Sequence, residues 1–208
     1  MKEWILNGYE FLTELLPFLA VLLLVRRHCK KSGRAMTCGH VLLVVVFAVY
    51  IVGVFYFTGV GTLADSLLYG LDLRGKQINL HPFSATIDAT GYLLNVILFV
   101  PLGFLLPLIC RGLDRLHTAL LAGVLLSLLI ECSQLLNTRA TDIDDVVLNT
   151  AGALIGFGIY RLFARRTKQK SAASVYCKHE AALYVAAMFA GRFLFYNELK
   201  MAGWLYGF

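Results

Sequence analysis

Carboxylates and amides interrupt the long apolar segments of this chain at helical spacing. Glu131 and Gln134 are three residues apart in one apolar segment, and Asp142, Asp145 and Asn149 follow at i, i+3 and i+7 around the start of the next. Such groups can hold a polar or ionic ligand, and a carboxylate can act as a general base. They are expensive inside a membrane, so we interpret them as parts of a functional site.

Three more residues extend this set. Asn95 lies in an earlier apolar segment, Asn79 in a preceding loop, and Arg139 between the two segments described above. We expect Arg139 to hold Glu131 ionised and to bind a phosphate or carboxylate of the ligand. The predicted ligand-binding residues are Asn79, Asn95, Glu131, Gln134, Arg139, Asp142, Asp145 and Asn149, with Glu131 and Asp145 as candidate catalytic bases.

Structural roles remain open for the same residues. Glu131 can be a protonated acid that bonds Gln134 or Asn149 and serves only helix packing. Asp142 can cap the following helix, and Asp145 can complement its dipole. A divalent metal at Asp142, Asp144 and Asp145 is the weaker alternative, because the acidic run lacks the glycine turn of a calcium loop. We therefore predict no metal ligand and no cofactor.

The composition requires a membrane environment for these residues. The 208 residues are 59% hydrophobic and 15% charged, with a mean hydropathy of +0.71, which excludes an ordinary soluble domain. Because backbone groups in lipid must be satisfied within a segment, we predict an all-α bundle. The predicted spans are 4–25, 38–60, 91–110, 118–136 and 146–163.

The distribution of basic residues predicts the orientation. Thirteen of the nineteen Lys and Arg residues fall in the segments 26–37, 111–115 and 161–178, which we assign to the cytoplasm. The N-terminus is then outside. The net charge of +6 reflects this topology and contacts with membrane lipids, so no nucleic acid is expected as a partner.

The predicted polar site lies near the outer ends of three spans. At the helical rise of about 1.5 Å per residue, Asn95, Glu131, Gln134 and Asn149 lie roughly 3 to 8 Å below the outer boundary. They are therefore expected to line one outward cavity. A transporter is disfavoured, because such polar positions do not continue through the cytoplasmic halves.

Two other regions carry open alternatives. Glu10 and Glu14, four residues apart in the first span, either join the polar layer or extend toward water. The segment 63–73 has the pattern of a short interfacial helix.

The chain is predicted to form one membrane domain, 1–208. Within it, 164–208 is a cytoplasmic basic linker that is followed at 181–208 by a sixth span or an interfacial helix. If that stretch spans, Arg192 is a candidate partner for an intramembrane carboxylate.

The ordered motifs resemble the VanZ-like family of bacterial membrane proteins over a core at 78–158. They are Asn79-Leu80-x-Pro82-Phe83, Asn95, Phe99-x-Pro101-Leu102-Gly103, Glu131-x-x-Gln134, Arg139-x-x-Asp142-x-x-Asp145 and Asn149-Thr150-x-Gly152. The resemblance implies a multi-pass protein of the bacterial cytoplasmic membrane. It also implies an association with low-level resistance to the lipoglycopeptide teicoplanin.

Two functions are compatible with these expectations. The first is a protein that binds or shields a lipid-linked cell-wall precursor or the lipoglycopeptide, because polar groups inside an apolar wall suit a ligand with a polar head and a lipid tail. The alternative is an intramembrane enzyme that modifies a lipid-linked head group, with Glu131 or Asp145 as the base and Arg139 as the anion-binding group.

Overall fold

A computed structural model describes residues 2–70, 78–83, 88–110, 112–137, 139–167 and 179–207. Its elements are α1 (Lys2–Lys31), α2 (Cys38–Thr58), α3 (Leu63–Tyr69), β1 (Ile78–Asn79), α4 (Ala89–Ile109), α5 (Leu116–Gln134), β2 (Thr141–Asp142), α6 (Ile143–Thr167), α7 (Glu180–Phe195) and α8 (Glu198–Tyr206). Five helices, α1, α2, α4, α5 and α6, are long and apolar enough to cross a membrane. The prediction of an all-α helical bundle with five or six spans is confirmed to the extent that five helices have the length and composition of a span. The outside N-terminus stays a prediction.

Local signals in the sequence determine where several helices begin and end. The Thr37 side chain accepts a hydrogen bond from the His40 amide at the start of α2. Gly59 ends α2 in the left-handed conformation, with a φ of 63° that favours glycine. Thr62 and Asp65 then form a capping box at the start of α3. The break between α2 and α3 is therefore encoded locally.

The helix predicted at 63–73 is shorter in the structure. It corresponds to α3, which ends at Tyr69, and Gly70 follows as its C-terminal cap. Leu67 and Leu68 are exposed on α3. Residues 71–77 lie outside the described part of the chain, as does 168–178 of the predicted basic linker.

Close contact between α4 and α6 organises the centre of the bundle. A Cβ atom at Gly152 or Gly156 would overlap the carbonyl oxygen of Val96 or Val100 on α4. A Cβ at Gly103 would overlap the Ala153 carbonyl in the other direction. Small residues let the two backbones approach, as in other membrane helix pairs. This approach places the first turns of α4 and α6 side by side.

Helix α7 lies within the bundle and is antiparallel to α1. The Tyr184 ring contacts Phe18 at 5.4 Å between centroids, and Gly191 lies against the Thr13 carbonyl. The helix begins beside the start of α2, where His40 Nε2 lies 3.0 Å from a carboxylate oxygen of Glu180. These contacts do not fit a helix lying across one end of the bundle. They favour a sixth span, which stays a prediction.

Candidate functional site

The loop before α4 is joined to the start of α6 by a parallel pair of two-residue strands. Ile78 pairs with Thr141, and Asn79 pairs with Asp142. The Asn79 side-chain amide also donates to both carboxylate oxygens of Asp142 at 3.2 Å. The sequence pattern did not predict these strands, because two residues are too short for a visible alternation.

The first turn of α6 holds this loop through its acidic residues. The Asp144 amide donates to Asp142 Oδ1 at 2.9 Å, which caps the helix. The Asp144 carboxylate accepts bonds from the Phe83 amide at 2.8 Å and from the Tyr92 hydroxyl at 2.6 Å. Asp142 and Asp144 therefore act in the scaffold. Within the described part of the chain, no group of three or more His, Cys, Asp or Glu side chains is arranged to hold a metal ion.

Glu131 connects the end of α5 to the start of α6. It is buried, and its Oε2 accepts a hydrogen bond from the Asp142 amide at 3.0 Å. The Thr141 hydroxyl donates to the Glu131 carbonyl at 3.4 Å. A buried carboxylate supported by a backbone amide is held in one orientation, so Glu131 is a rigid part of the site.

Two amides connect neighbouring helices at the same level. Asn95 of α4 donates to Asp145 Oδ1 of α6 at 2.5 Å. Asn149 of α6 donates to the Ser127 hydroxyl of α5 at 2.9 Å. The three helices are therefore tied together by the polar residues that the sequence analysis selected from depth and helical face.

The end of α2 forms a further wall of the site. The carbonyl oxygen of Thr58 accepts a bond from Gln134 Nε2 at 2.7 Å and from Arg139 Nη1 at 2.8 Å. The expectation that Arg139 pairs with Glu131 is not met in the structure. Its guanidinium lies over Gly59 at the C-terminus of α2, where a positive charge complements the helix dipole.

One cavity of about 430 Å³ lies at the meeting point of these elements. Apolar residues such as Leu94, Ile97 and Ile130 form part of its wall. Six of the eight predicted ligand-binding residues also line it, namely Asn95, Glu131, Gln134, Arg139, Asp145 and Asn149. Asn79 and Asp142 are not in this lining, because their side chains bond to each other beside the first turn of α6.

Two contributors to the site were missed by the sequence analysis. Thr58 offers only its backbone carbonyl, which no side-chain pattern could reveal. Tyr92 bonds Asp144, and it lies three residues before Asn95 on α4. That helical spacing was a signal for a shared face.

A second polar cluster joins α1 and α7. Arg192 Nη1 donates to Glu10 at 2.5 Å and to Glu14 at 2.7 Å, and Arg192 Nε donates to the Val60 carbonyl at 3.2 Å. All three ionic side chains are buried. The alternative in which Glu10 and Glu14 extend toward water is therefore wrong, because Arg192 binds both inside the bundle.

The fold and the site define a polytopic helical membrane protein with a polar cavity near one end of its bundle. The model of the VanZ/LLP1 family matches residues 41–164, and the chain belongs to this family. The matched segment contains most of α2, the whole of α4 and α5, and all eight predicted ligand-binding residues. The region after α6, with α7 and its Arg192, lies outside it.

The chain is also similar to a named relative of this family. The chain is 34% identical over 106 residues to Protein VanZ of Enterococcus faecium. This match covers 50% of the present chain and 65% of that protein. No solved structure matches the chain.

Proposed function

We propose that this protein is a VanZ-like protein of the bacterial cytoplasmic membrane that lowers susceptibility to teicoplanin. Its cavity binds or shields the polar part of an amphiphile at the outer face of the membrane. The amphiphile is a lipid-linked component of the cell envelope or the lipoglycopeptide itself.

The observation that carries the proposal is the composition of the cavity wall. Six polar side chains from three helices and one connection meet apolar residues around a volume of about 430 Å³. Ligand sites are typically apolar concave surfaces with a few convergent polar groups. A wall of both kinds suits a molecule that carries a polar head and an apolar chain.

Teicoplanin tolerance of a host that expresses the protein tests this function. Glu131→Ala and Arg139→Ala are each expected to abolish the increase in tolerance, because each removes a charged group from the cavity wall. The matched control is Asp114→Asn, since Asp114 is an exposed acid in the connection between α4 and α5. Membrane insertion of every variant is measured by the amount of protein in the membrane fraction. Full tolerance with both alanine variants normally inserted would contradict the proposal.

The isosteric variant Glu131→Gln separates binding from the enzyme alternative. A glutamine side chain can still accept the hydrogen bond from the Asp142 amide, but it cannot take up a proton as a general base. Partial tolerance with Glu131→Gln supports binding. A complete loss, together with a modified head group that appears only with the unsubstituted protein, supports catalysis.

A further inference from the structure

Two oxygen atoms in the cavity wall have no hydrogen-bond partner among the described residues. They are Gln134 Oε1 and Asn149 Oδ1. The exposed fractions of these residues are 5% and 2%, and both residues line the cavity. The Asn149 amide nitrogen is already bonded to the Ser127 hydroxyl. Buried polar groups are nearly always hydrogen-bonded, so each of these oxygens is a candidate acceptor for a donor group of a ligand.

Two amide nitrogens of the cavity wall donate hydrogen bonds to other groups of the protein. Gln134 Nε2 donates to the Thr58 carbonyl at 2.7 Å, and a carbonyl can only accept, so the orientation of this amide follows from its partner. Asn95 Nδ2 donates to the Asp145 carboxylate at 2.5 Å. The Gln134 side chain therefore has its oxygen available as an acceptor for a ligand.

The same wall carries two carboxyl groups that no cation contacts within the described residues. Glu131 and Asp145 both line the cavity, and neither forms an ion pair within the described part of the chain. The Arg139 guanidinium is bonded to the Thr58 carbonyl at 2.8 Å. A cationic ligand would offset the two carboxylates in a partly desolvated place, where charge pairing is stronger than in water.

We propose that this cavity binds a primary ammonium group. A primary ammonium has three N–H donors for the unpartnered oxygens of Gln134 and Asn149 and for one carboxylate, Glu131 or Asp145, and it brings one positive charge. The apolar wall accepts the carbon chain that carries the ammonium. This inference rests on the proposed function and names the chemical class of its ligand.

Three small probes test separately whether the ligand needs a positive charge and whether it needs N–H donors. The full chain is placed in phosphatidylglycerol nanodiscs, and the thermal unfolding midpoint is followed against added ethylammonium, tetramethylammonium or ethanol at constant ionic strength. Tetramethylammonium has the charge but no N–H donor, and ethanol has a donor but no charge. We expect saturable stabilisation by ethylammonium, with each of the other two at least about tenfold weaker. Equal affinity for tetramethylammonium or ethanol would overturn the proposal.

Substitutions in the cavity wall test whether ethylammonium binds in this cavity. Asp145→Asn removes one charge and keeps the side-chain shape, and Gln134→Leu removes an unpartnered oxygen. Each is expected to weaken ethylammonium binding by about tenfold or more, because hydrogen bonds to charged groups are the strong ones. The control Asp114→Asn should bind as the unsubstituted protein does. Unchanged affinity in the two folded cavity variants would refute the assignment.

A lipid pair distinguishes the sources of the ammonium group. Phosphatidylethanolamine carries a primary ammonium, whereas phosphatidylcholine has the same net charge and no N–H donor. Competition with ethylammonium by the former alone supports a lipid head group as the source. Competition by neither supports a different amine-bearing molecule, and equal competition by both contradicts recognition of the primary ammonium.

The two proposals fail in different ways. If Asp145→Asn and Gln134→Leu abolish teicoplanin tolerance but no probe binds, the ammonium assignment is wrong and the proposed function stands. If ethylammonium binding is lost in these variants while tolerance is retained, the ammonium site stands and the proposed function is wrong.

Discussion

The cluster around Arg192 and the cluster around Glu131 lie in one bundle but differ in whether their charged side chains form ion pairs within the protein. Arg192 directly contacts Glu10 and Glu14, and its guanidinium lies 5.2 Å from the centroid of the Tyr196 ring. One Glu14 oxygen has no partner among the described residues, yet a cation is in contact with that carboxylate. The Arg192 cluster therefore carries its own counter-charge.

The Glu131 cluster has no cation in contact with its carboxyl groups among the described residues. Arg139 lines the same cavity but bonds the Thr58 carbonyl. Glu131 and Asp145 accept hydrogen bonds from a backbone amide and from Asn95, but they form no ion pair within the part of the chain that the structure describes. They also face a cavity with unpartnered acceptors. The comparison indicates that buried charge supports the fold where it is paired internally, and is available to a ligand where it is not.

The largest expected effect comes from breaking the paired cluster. Arg192→Met leaves two buried carboxylates without their cation, and we expect a loss of about 3–5 kcal/mol in the free energy of unfolding. Reversible unfolding in mixed detergent micelles measures this. Lys200→Met, which removes an exposed charge from α8, is the control. An unchanged free energy of unfolding in Arg192→Met would remove the contrast between the two clusters.

A smaller effect is expected from the helix contact that positions the unpaired cluster. Gly156→Ala places a methyl group against the Val100 carbonyl of α4 and is expected to destabilise the protein by about 1–3 kcal/mol. Gly158→Ala is the matched control, because its Cβ meets nothing within 4 Å. The same unfolding measurement compares them. Equal stability would mean that α4 and α6 are not in close contact at Val100 and Gly156.

The smallest expected effect on stability is that of Cys38→Ser, a variant that serves to test the orientation in the membrane. Cys38 is exposed at the start of α2, at the opposite end from both polar clusters. With the N-terminus outside, an impermeant maleimide should label Cys38 only after protoplasts are permeabilised, and Cys38→Ser identifies the labelled site without a change in fold. Labelling in intact protoplasts would place the cavity on the cytoplasmic side. Teicoplanin outside the cell could then not reach it.

Much of the fold was predictable because hydropathy and helix-end signals are local. Five apolar segments of sufficient length indicate five helices, and Thr37 and Gly59 mark ends of α2 without reference to other parts of the chain. The choice of Glu131 and Gln134 as site residues also followed from local information. Depth and the helical period place both near one end of α5.

The partners of these side chains depend on helix contacts that the sequence does not display. Arg139 was expected beside Glu131, but it bonds to Thr58 at the end of α2 and forms no ion pair within the described residues. Residues far apart in sequence meet only when the helices pack, as Arg192 meets Glu10.

The sequence alone therefore determined that this is a helical membrane protein with polar residues at one depth, because both follow from hydropathy and the 3.6-residue period. Only the tertiary structure decided which of its buried charges are paired. It also decided which oxygens, such as Gln134 Oε1, are left for a ligand. The physical reason is that a hydrogen bond or ion pair requires a few ångströms of proximity, and helix packing alone supplies that proximity across the chain.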